Sequence, residues 1–236
     1  MKISLIIPAH NEEKYISDCL KSVLENGKEL SEVIVINNAS TDKTAEIAGS
    51  FGGVKVITEL SKGLTKARQR GLKESTGDIL AFVDADTKMP KGWVEKINKA
   101  FEANPRLACL SGPYIYYDLS VSDRLLVWLY WHLFAYGAYL LVGYMAVGGN
   151  FAARRDALEK IGGFDENISF YGEDTNIARR LNKTGKVKFT HGLYMYTSAR
   201  RLKDEGLINM TFKYTLNFLS EVFRGKPLTK EYKDIR

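Results

Sequence analysis

The sequence predicts an α/β fold in which helices cover both faces of a mostly parallel central sheet. Short apolar segments alternate with amphipathic helical patterns through the first half of the chain. Polar residues follow most of these apolar segments, as at the ends of buried parallel strands. The 236 residues, with 45% hydrophobic and 26% charged side chains, suffice for one globular domain with a sizeable core.

Five strands and four helices are expected in this alternating region. The strands are expected at 3–7, 33–36, 54–57, 79–83 and 107–110. The helices are expected at 15–24, 44–48, 64–72 and 94–101. A helix between two strands allows them to run in parallel, so this order favours a sheet that is covered on both faces.

Chemically active residue types follow the strands and would gather at one edge of the sheet, where open α/β sheets bind ligands. They are His10, Asn11, Glu12, Asn37, Asn38, Lys62, Asp84 and Asp86. Two carboxylates at one strand exit, Asp84 and Asp86, suit a hard divalent cation. The plainer alternative is that these two acids end a strand and cap a helix.

A second acidic pair, Glu173 and Asp174, opens the helical segment 175–181. An acid at a separate place in the chain suits a general base. The alternative is a first-turn pair that the helix dipole favours.

The segment 125–147 contains no charged residue and is rich in aromatic residues. Its length could span a bilayer, but two glycines and a histidine interrupt it and its aromatics lie in the middle. We expect a helix that packs on the domain and touches a membrane surface. A buried core helix is the equal alternative, and a full span is less favoured.

A helix is also expected at 207–224, with an apolar face and with Lys226, Lys230 and Lys233 after it. This pattern is a modest signal for membrane contact, and docking onto the domain is the more favoured alternative. We expect a domain at 1–204, divided into a nucleotide half (1–118) and an acceptor half (119–204). A helical and basic extension would follow at 205–236.

Charge and cysteine content limit the partners. The net charge of +6 suits anionic ligands, and without a nucleic-acid-binding signature no nucleic acid is expected. The two cysteines, Cys19 and Cys109, lack metal-ligand spacing and should be buried and reduced. The apolar start ends at Pro8, too early for a signal peptide, so a cytoplasmic protein at the inner membrane face is expected.

Seven segments together resemble the family 2 inverting glycosyltransferases of the GT-A fold. They are 4–13, 35–42, 62–68, 76–86, 148–155, 161–165 and 172–174. The resemblance implies transfer of a sugar from a nucleoside-diphosphate sugar to a hydroxyl group, assisted by Mn²⁺ or Mg²⁺. A UDP-sugar is the first choice of donor and a GDP-sugar the second. The apolar segments favour a lipid-linked or cell-surface glycan as acceptor, and a soluble saccharide is second.

The resemblance also implies individual roles. Residues that would line the nucleotide or its diphosphate are Pro8, Ala9, Asn11, Glu12, Asn38, Lys62, Arg68 and Asp84. Asp86 would bind the metal and Asp174 would be the catalytic base. The acceptor is expected near Gly149, Asn150, Glu173, Arg200 and Arg201. A tight turn is the alternative at 148–149, and a surface turn is the equal alternative at 198–201.

The chain departs from the family pattern in two places. Asn37 and Asn38 stand where aspartates are common, which leaves the nucleotide base open. Some relatives place a metal-binding histidine where this chain has Thr197 and Ser198. His191 lies close by and is expected to be structural.

Two other classes of protein compete with this interpretation. A sugar nucleotidyltransferase would need a glycine-rich, arginine-containing loop after the first strand, and this chain has Pro8-Ala9-His10-Asn11-Glu12 there. A non-catalytic membrane-surface module would explain the apolar segments but would leave Asp86 and Asp174 without a purpose.

Overall fold

A computed structural model describes residues 1–168 and 170–229. Its strands are β1 (Ile3–Ala9), β2 (Glu32–Asn38), β3 (Val54–Glu59), β4 (Ile79–Val83), β5 (Thr87–Lys88), β6 (Leu107–Ser111), β7 (Tyr114–Tyr116), β8 (Asn150–Arg154), β9 (Lys186–Phe189) and β10 (Met195–Thr197). Its α-helices are α1 (Ile16–Asn26), α2 (Thr44–Gly49), α3 (Leu64–Glu74), α4 (Trp93–Ala103), α5 (Val121–Leu129), α6 (Tyr136–Val142), α7 (Arg155–Lys160), α8 (Glu173–Leu181), α9 (Arg200–Glu205) and α10 (Leu207–Arg224).

Seven strands form the central sheet, in the order β3-β2-β1-β4-β8-β6-β9. Strand β8 runs antiparallel to both of its neighbours, β4 and β6, while the other pairs are parallel. A smaller sheet has the order β5-β10-β7. The predicted α/β architecture with a mostly parallel sheet is therefore confirmed, and each predicted strand and helix occurs close to its expected position.

Two hydrophobic cores cover the faces of the central sheet. Successive side chains of β1 alternate between them: Leu5 and Ile7 belong to one core and Ile6 to the other. Cys19 lies in the first core and Cys109 in the second, and both are free thiols. The prediction that the cysteines are small buried residues is confirmed.

The aromatic segment forms an exposed helix. Helices α5 and α6 continue into each other through a π-helical stretch, Tyr130–Ala135. Together they form a 22-residue helix that is long and apolar enough to cross a membrane, judged by length and composition. Only 6% of its most apolar window is buried, so the alternative of a buried core helix is wrong. Residues 144–147, beyond the helix, are buried.

Helix α10 confirms the predicted helix at 207–224 and presents both polar and apolar residues to the domain. Its buried residues include Asn217 and Glu221, whereas Ile208 and Phe223 are 86% and 81% exposed. Asn176 donates a 2.8 Å hydrogen bond to Glu221. Apolar residues share this contact: Met210 is fully buried, and Phe218 and Val222 pack against buried core residues. The helix therefore docks onto the domain, as the alternative expected. The predicted basic residues Lys230 and Lys233 lie outside the described residues.

Candidate active site

The exits of β1 and β2 form one wall of the site. Asn11 adopts a left-handed conformation (φ 51°), and its side-chain oxygen accepts a 2.8 Å hydrogen bond from the Thr41 backbone. The Glu12 backbone N–H donates to the Thr44 hydroxyl at 2.7 Å. These bonds fix the loop after β1 against the loop after β2. Pro8 and Ala9 lie within β1 itself and are buried.

Asn38 organises the next loop of this wall. Its side-chain nitrogen donates to the carbonyl groups of Glu59 and Ser61 at 3.2 and 2.8 Å, and its oxygen accepts from the Gly63 backbone at 2.8 Å. The side chain is 3% exposed, so its amide shapes the loop that carries Lys62. A direct contact between Asn38 and a nucleotide base, as the resemblance implied, does not fit this arrangement.

Asp84, Arg68 and Glu173 form a cluster that we name the inner triad, in which Arg68 and Glu173 are buried and Asp84 is 36% exposed. The Arg68 guanidinium lies 2.5 Å from the Glu173 carboxylate and 3.3 Å from the Asp84 carboxylate. Arg68 is only 1% exposed, although it lies on a helix with charged neighbours. The inner triad therefore connects the exit of β4 with the first turn of α8, where Asp174 lies.

Two glycines allow this close packing. A Cβ atom on Gly148 would lie 2.3 Å from a Glu173 carboxylate oxygen. One on Gly149 would lie 2.1 Å from both an Asp84 carboxylate oxygen and the Tyr114 hydroxyl oxygen. A side chain at either position would displace the inner triad or its neighbours.

Glu12, Arg200 and Asp86 form a second cluster, the outer triad. Arg200 donates two hydrogen bonds to the Glu12 carboxylate, at 2.8 and 2.5 Å, and its Nε lies 3.0 Å from Asp86 Oδ2. Its guanidinium carbon also lies 4.7 Å from the centre of the Tyr15 ring. The outer triad joins the exits of β1 and β4 to the start of α9.

Burial raises the pKa values of three carboxyl groups at the site, those of Asp86, Glu173 and Asp174. Burial, together with the nearby Glu12 and Asp84 carboxylates, raises the pKa of Asp86 to about 7 against the opposing effect of Arg200. Burial likewise raises the pKa of Glu173 to about 7, while Arg68 opposes the shift. The pKa of Asp174 is also raised by burial. A carboxylate with a raised pKa is a stronger proton acceptor, which suits a general base.

The residues present fit a divalent cation held jointly with a substrate. Among the described residues there is no group of three or more metal-ligating side chains. Asp86 is 12% exposed and supplies hard carboxylate oxygens beside a second acid, Asp84. Mg²⁺ and similar ions are commonly held by one or two carboxylates, with substrate phosphates and water completing the shell. Asp86 would therefore hold the cation, with phosphate oxygens as the further ligands.

Several residues predicted for the acceptor have other roles. Asn150 is fully buried: it accepts from the Trp93 indole at 3.0 Å and donates to the carbonyl groups of residues 112, 113 and 193. Its predicted contact with an acceptor is therefore wrong. Glu173 is 7% exposed and is the partner of Arg68, so a direct acceptor contact is also wrong there. Arg201 pairs with Glu205 at 3.4 Å.

Arg200 and His191 each have defined contacts within the fold. Arg200 was predicted for the acceptor, and in the structure its guanidinium binds the carboxylates of Glu12 and Asp86. His191 stacks on His132 with ring centres 4.0 Å apart, and its Nε2 lies 3.3 Å from the Trp131 carbonyl oxygen. These contacts agree with the structural role expected of His191.

Tyr114 is a site residue that the sequence reasoning missed. Its hydroxyl donates a 2.9 Å hydrogen bond to Asp84. Since β8 is antiparallel to both β4 and β6, strands β4 and β6 run the same way and end at the same edge. Tyr114 follows β6 at that edge. The local sequence pattern does not reveal the strand order, and only the strand order could have identified Tyr114 as a site residue.

Comparison with known proteins identifies the family. A model of glycosyl transferase family 2 matches residues 4–162. The probable glycosyltransferase YdaM from Bacillus subtilis is 30% identical over 207 residues, which cover 78% of this chain and 47% of YdaM. The dolichol-phosphate mannosyltransferase from Pyrococcus furiosus is 28% identical over 255 residues, which cover 94% of this chain and 70% of that protein. The chain thus spans about half the length of YdaM.

Solved structures share the fold. Mannosyltransferase PcManGT from Pyrobaculum calidifontis, in complex with GDP-Man and Mn²⁺, has a TM-score of 0.70 at 19% identity, covering 95% of this chain and 63% of that one. Glucosyl-3-phosphoglycerate synthase from Mycobacterium tuberculosis, in complex with Mn²⁺, UDP and phosphoglyceric acid, has a TM-score of 0.64 at 21% identity, covering 94% and 78%. The predicted GT-A fold is confirmed, and the chain belongs to glycosyl transferase family 2.

Proposed function

We propose that this protein is a metal-dependent, inverting glycosyltransferase that uses a nucleoside-diphosphate sugar. The observation that carries the proposal is the inner triad, which links the exit of β4, with Asp84 and Asp86, to the first turn of α8, with Asp174. This link supports the assignment of one carboxylate, Asp86, to a metal and another, Asp174, to a proton. The solved relatives that contain GDP-Man or UDP and Mn²⁺ support the class of donor and cofactor.

In the proposed reaction, an acceptor hydroxyl oxygen forms a bond to the anomeric carbon of the sugar. The bond from that carbon to the diphosphate oxygen breaks, and the nucleoside diphosphate leaves with the bonding electrons. A divalent cation, when bound at Asp86, offsets the negative charge that the diphosphate gains. Asp174 takes the proton of the attacking hydroxyl. Attack from the face opposite the leaving group inverts the anomeric configuration.

The donor specificity is proposed at the level of the nucleotide. We assign a UDP-sugar as the first choice and a GDP-sugar as the second. Glu12 and the loop that Asn38 supports lie at the exits of β1 and β2, where the nucleoside would bind. Lys62 follows β3 on the same side, at a place suited to an anionic donor.

Calorimetric titration tests the donor site. UDP, GDP and their common sugar conjugates would be titrated with and without Mn²⁺ into the wild type and Asp86→Ala. We expect metal-dependent binding of one nucleotide class, and loss of that dependence in Asp86→Ala. If well-folded wild type binds none of these nucleotides, the proposed function is wrong.

Replacement of the proposed base tests the chemistry. Asp174→Asn should retain metal-dependent nucleotide binding and lose transfer by about a hundredfold or more, since general-base catalysis typically contributes 10²–10⁴-fold. The anomeric configuration of the wild-type product, determined by NMR, should be opposite to that of the donor. Unchanged transfer in Asp174→Asn would contradict the assignment of the base.

We further propose that the acceptor is carried by a lipid or lies at a membrane surface. Two separate helices support this proposal, because each presents apolar side chains outward. Leu141 of α6 is 90% exposed and Phe134 before it 71%, and Ile208 and Phe223 of α10 are more than 80% exposed. Because these four side chains are largely exposed, they are available to another apolar phase such as a membrane surface.

Vesicle co-sedimentation tests the membrane proposal. The wild type should bind vesicles that contain anionic phospholipid, and Ile208→Ser/Phe223→Ser should bind them at least several-fold more weakly. Leu60→Ser is the control, because Leu60 is 83% exposed but lies on neither helix. Equal binding of all three proteins would contradict a membrane role for α10.

A further inference from the structure

Arg200 occupies the two carboxylates that a donor complex would need. Its terminal nitrogens bind Glu12 at 2.8 and 2.5 Å, and its Nε lies 3.0 Å from Asp86. Asp86 is the proposed metal ligand and Glu12 the proposed contact for the nucleoside. A cation at Asp86 would therefore lie close to a guanidinium that holds the same carboxylate.

We propose that Arg200 is a displaceable counter-ion that makes metal binding depend on the nucleotide. This inference rests on the proposed function. Without a donor, the guanidinium neutralises Glu12 and Asp86 and weakens binding of a free divalent cation, because two positive charges then compete for one carboxylate. A nucleoside diphosphate supplies new anionic oxygens, with which a guanidinium forms strong paired hydrogen bonds. Arg200 can then exchange carboxylate for phosphate as the metal enters.

The backbone around Arg200 is anchored without the help of its side chain. Asp118 accepts hydrogen bonds from the Ala199 backbone at 2.7 Å and from the Ser198 hydroxyl at 3.3 Å. The Ser198 backbone N–H donates to the Asp86 carbonyl oxygen at 3.2 Å. Leu202, two residues further on, is buried. The guanidinium can therefore leave the carboxylates while the start of α9 stays in place.

The two arginines of the site differ in exposure, which makes Arg68 a fixed ion and Arg200 an exchangeable one. Arg68 is 1% exposed and is enclosed by the inner triad, whereas the Arg200 side chain is 20% exposed. Water and phosphate can reach a guanidinium that is partly exposed. The Arg200 guanidinium has several N–H donors, so it can release one carboxylate while it forms a hydrogen bond to a phosphate. It therefore keeps an anionic partner throughout the exchange.

The test measures Mn²⁺ affinity in the absence and the presence of UDP or GDP, whichever the wild type binds. Electron paramagnetic resonance of free Mn²⁺ would follow binding to the wild type, Arg200→Gln and Arg201→Gln. Arg201→Gln is the matched control, since Arg201 is the adjacent arginine and pairs with Glu205. Circular dichroism would verify that each protein is folded.

We expect Arg200→Gln to bind Mn²⁺ alone about tenfold more tightly than the wild type, while Arg201→Gln matches the wild type. The factor by which nucleotide tightens Mn²⁺ binding should fall in Arg200→Gln, and by linkage the reciprocal effect of Mn²⁺ on the nucleotide should fall equally. In the wild type, nucleotide should tighten Mn²⁺ binding at least tenfold.

Two results would overturn the inference while leaving the proposed function intact. One is Mn²⁺ affinity within twofold between the wild type and Arg200→Gln, with nucleotide binding retained. The other is tightening of Mn²⁺ binding by nucleotide that is as large in Arg200→Gln as in the wild type. If wild type binds neither nucleotide under any condition, the proposed function itself fails and the inference fails with it.

Discussion

Replacing Arg68 with methionine would test whether the inner triad holds the two halves of the site together. The guanidinium is 1% exposed and lies 2.5 Å from Glu173 and 3.3 Å from Asp84. Methionine keeps much of the apolar length of the side chain but removes the charge and the donors. The substitution would leave the Glu173 carboxyl, itself 7% exposed, without its cation.

The expected cost follows from the burial of the pair. Removal of one partner from a buried ion pair typically costs about 3–5 kcal/mol of the free energy of unfolding, because the other charge stays buried and unpaired. Glu173 can reduce this cost by binding a proton. Its pKa is already raised to about 7 in the presence of Arg68, and loss of Arg68 would raise the pKa further.

The cost should therefore depend on pH, with a defined sign. Since the pKa of Glu173 is higher in the folded than in the unfolded chain, the folded chain binds more protons between about pH 4.5 and 7. The contribution of Glu173 to stability thus falls as pH rises through this range. We expect Arg68→Met to lose about 3 kcal/mol or more at pH 8 and clearly less at pH 5.5.

Urea denaturation at the two pH values would measure these differences. Wild type, Arg68→Met, Glu173→Gln and the double variant form a double-mutant cycle, and the double variant should be less damaged than the sum of the single variants. Arg70→Met is the control on the same helix, because Arg70 is 40% exposed and pairs with Glu74, one turn further along that helix. It should change stability by about 0.5 kcal/mol or less.

If Arg68→Met lowers the free energy of unfolding by less than about 1 kcal/mol at pH 8, Arg68 and Glu173 do not form the buried ion pair described above, because removal of such a pair costs more. An equal loss at pH 5.5 and pH 8 would refute the role of the proton on Glu173.

Two further predictions concern packing near the site. Gly149→Ala should lower nucleotide affinity at least tenfold in calorimetry, because its Cβ would lie 2.1 Å from oxygen atoms of Asp84 and Tyr114, whereas Gly137→Ala should not, since no atom lies within 4 Å there. Asn150→Ala should lower the free energy of unfolding in urea by about 3 kcal/mol, because it leaves one indole and three carbonyl groups without their buried partner; a loss of only a few tenths would contradict the structural role of Asn150.

The sequence predicted the central sheet well because its signals are local. Each predicted strand is an apolar run that ends at polar residues, and each helix between them has one apolar face. Buried parallel strands need this pattern wherever they occur in a sheet, so it could be recognised without knowledge of strand order. The gathering of Glu12, Asn38 and Asp86 at one edge followed from the same rule.

Contacts between distant segments could not be predicted in this way. The sequence shows that α10 has polar and apolar residues at helical spacing, but not which of them meet the domain. Asn176 and Arg179 of α8 bind the Glu221 carboxylate at 2.8 and 3.0 Å, and Met210 is fully buried. Arg200 and Glu12, which are 188 residues apart, are likewise joined only by the folded chain.

In both triads an arginine neutralises carboxylates that would otherwise repel one another. The carboxylates needed for a metal and a proton repel one another when they gather at one sheet edge, and burial makes that repulsion stronger. Each guanidinium offsets the repulsion between acids from two different elements: Arg68 joins β4 to α8, and Arg200 joins β1 to β4.

Because Arg68 is enclosed and Arg200 is partly exposed, Arg200 is the arginine that an incoming donor could reach and draw away from its carboxylates. The fixed arginine would then preserve the position of Asp174 relative to the metal ligand, while the exchangeable one lets the metal enter with its nucleotide. Substitution of Arg68 should therefore lower the stability of the protein without tightening Mn²⁺ binding. Substitution of Arg200 should tighten Mn²⁺ binding.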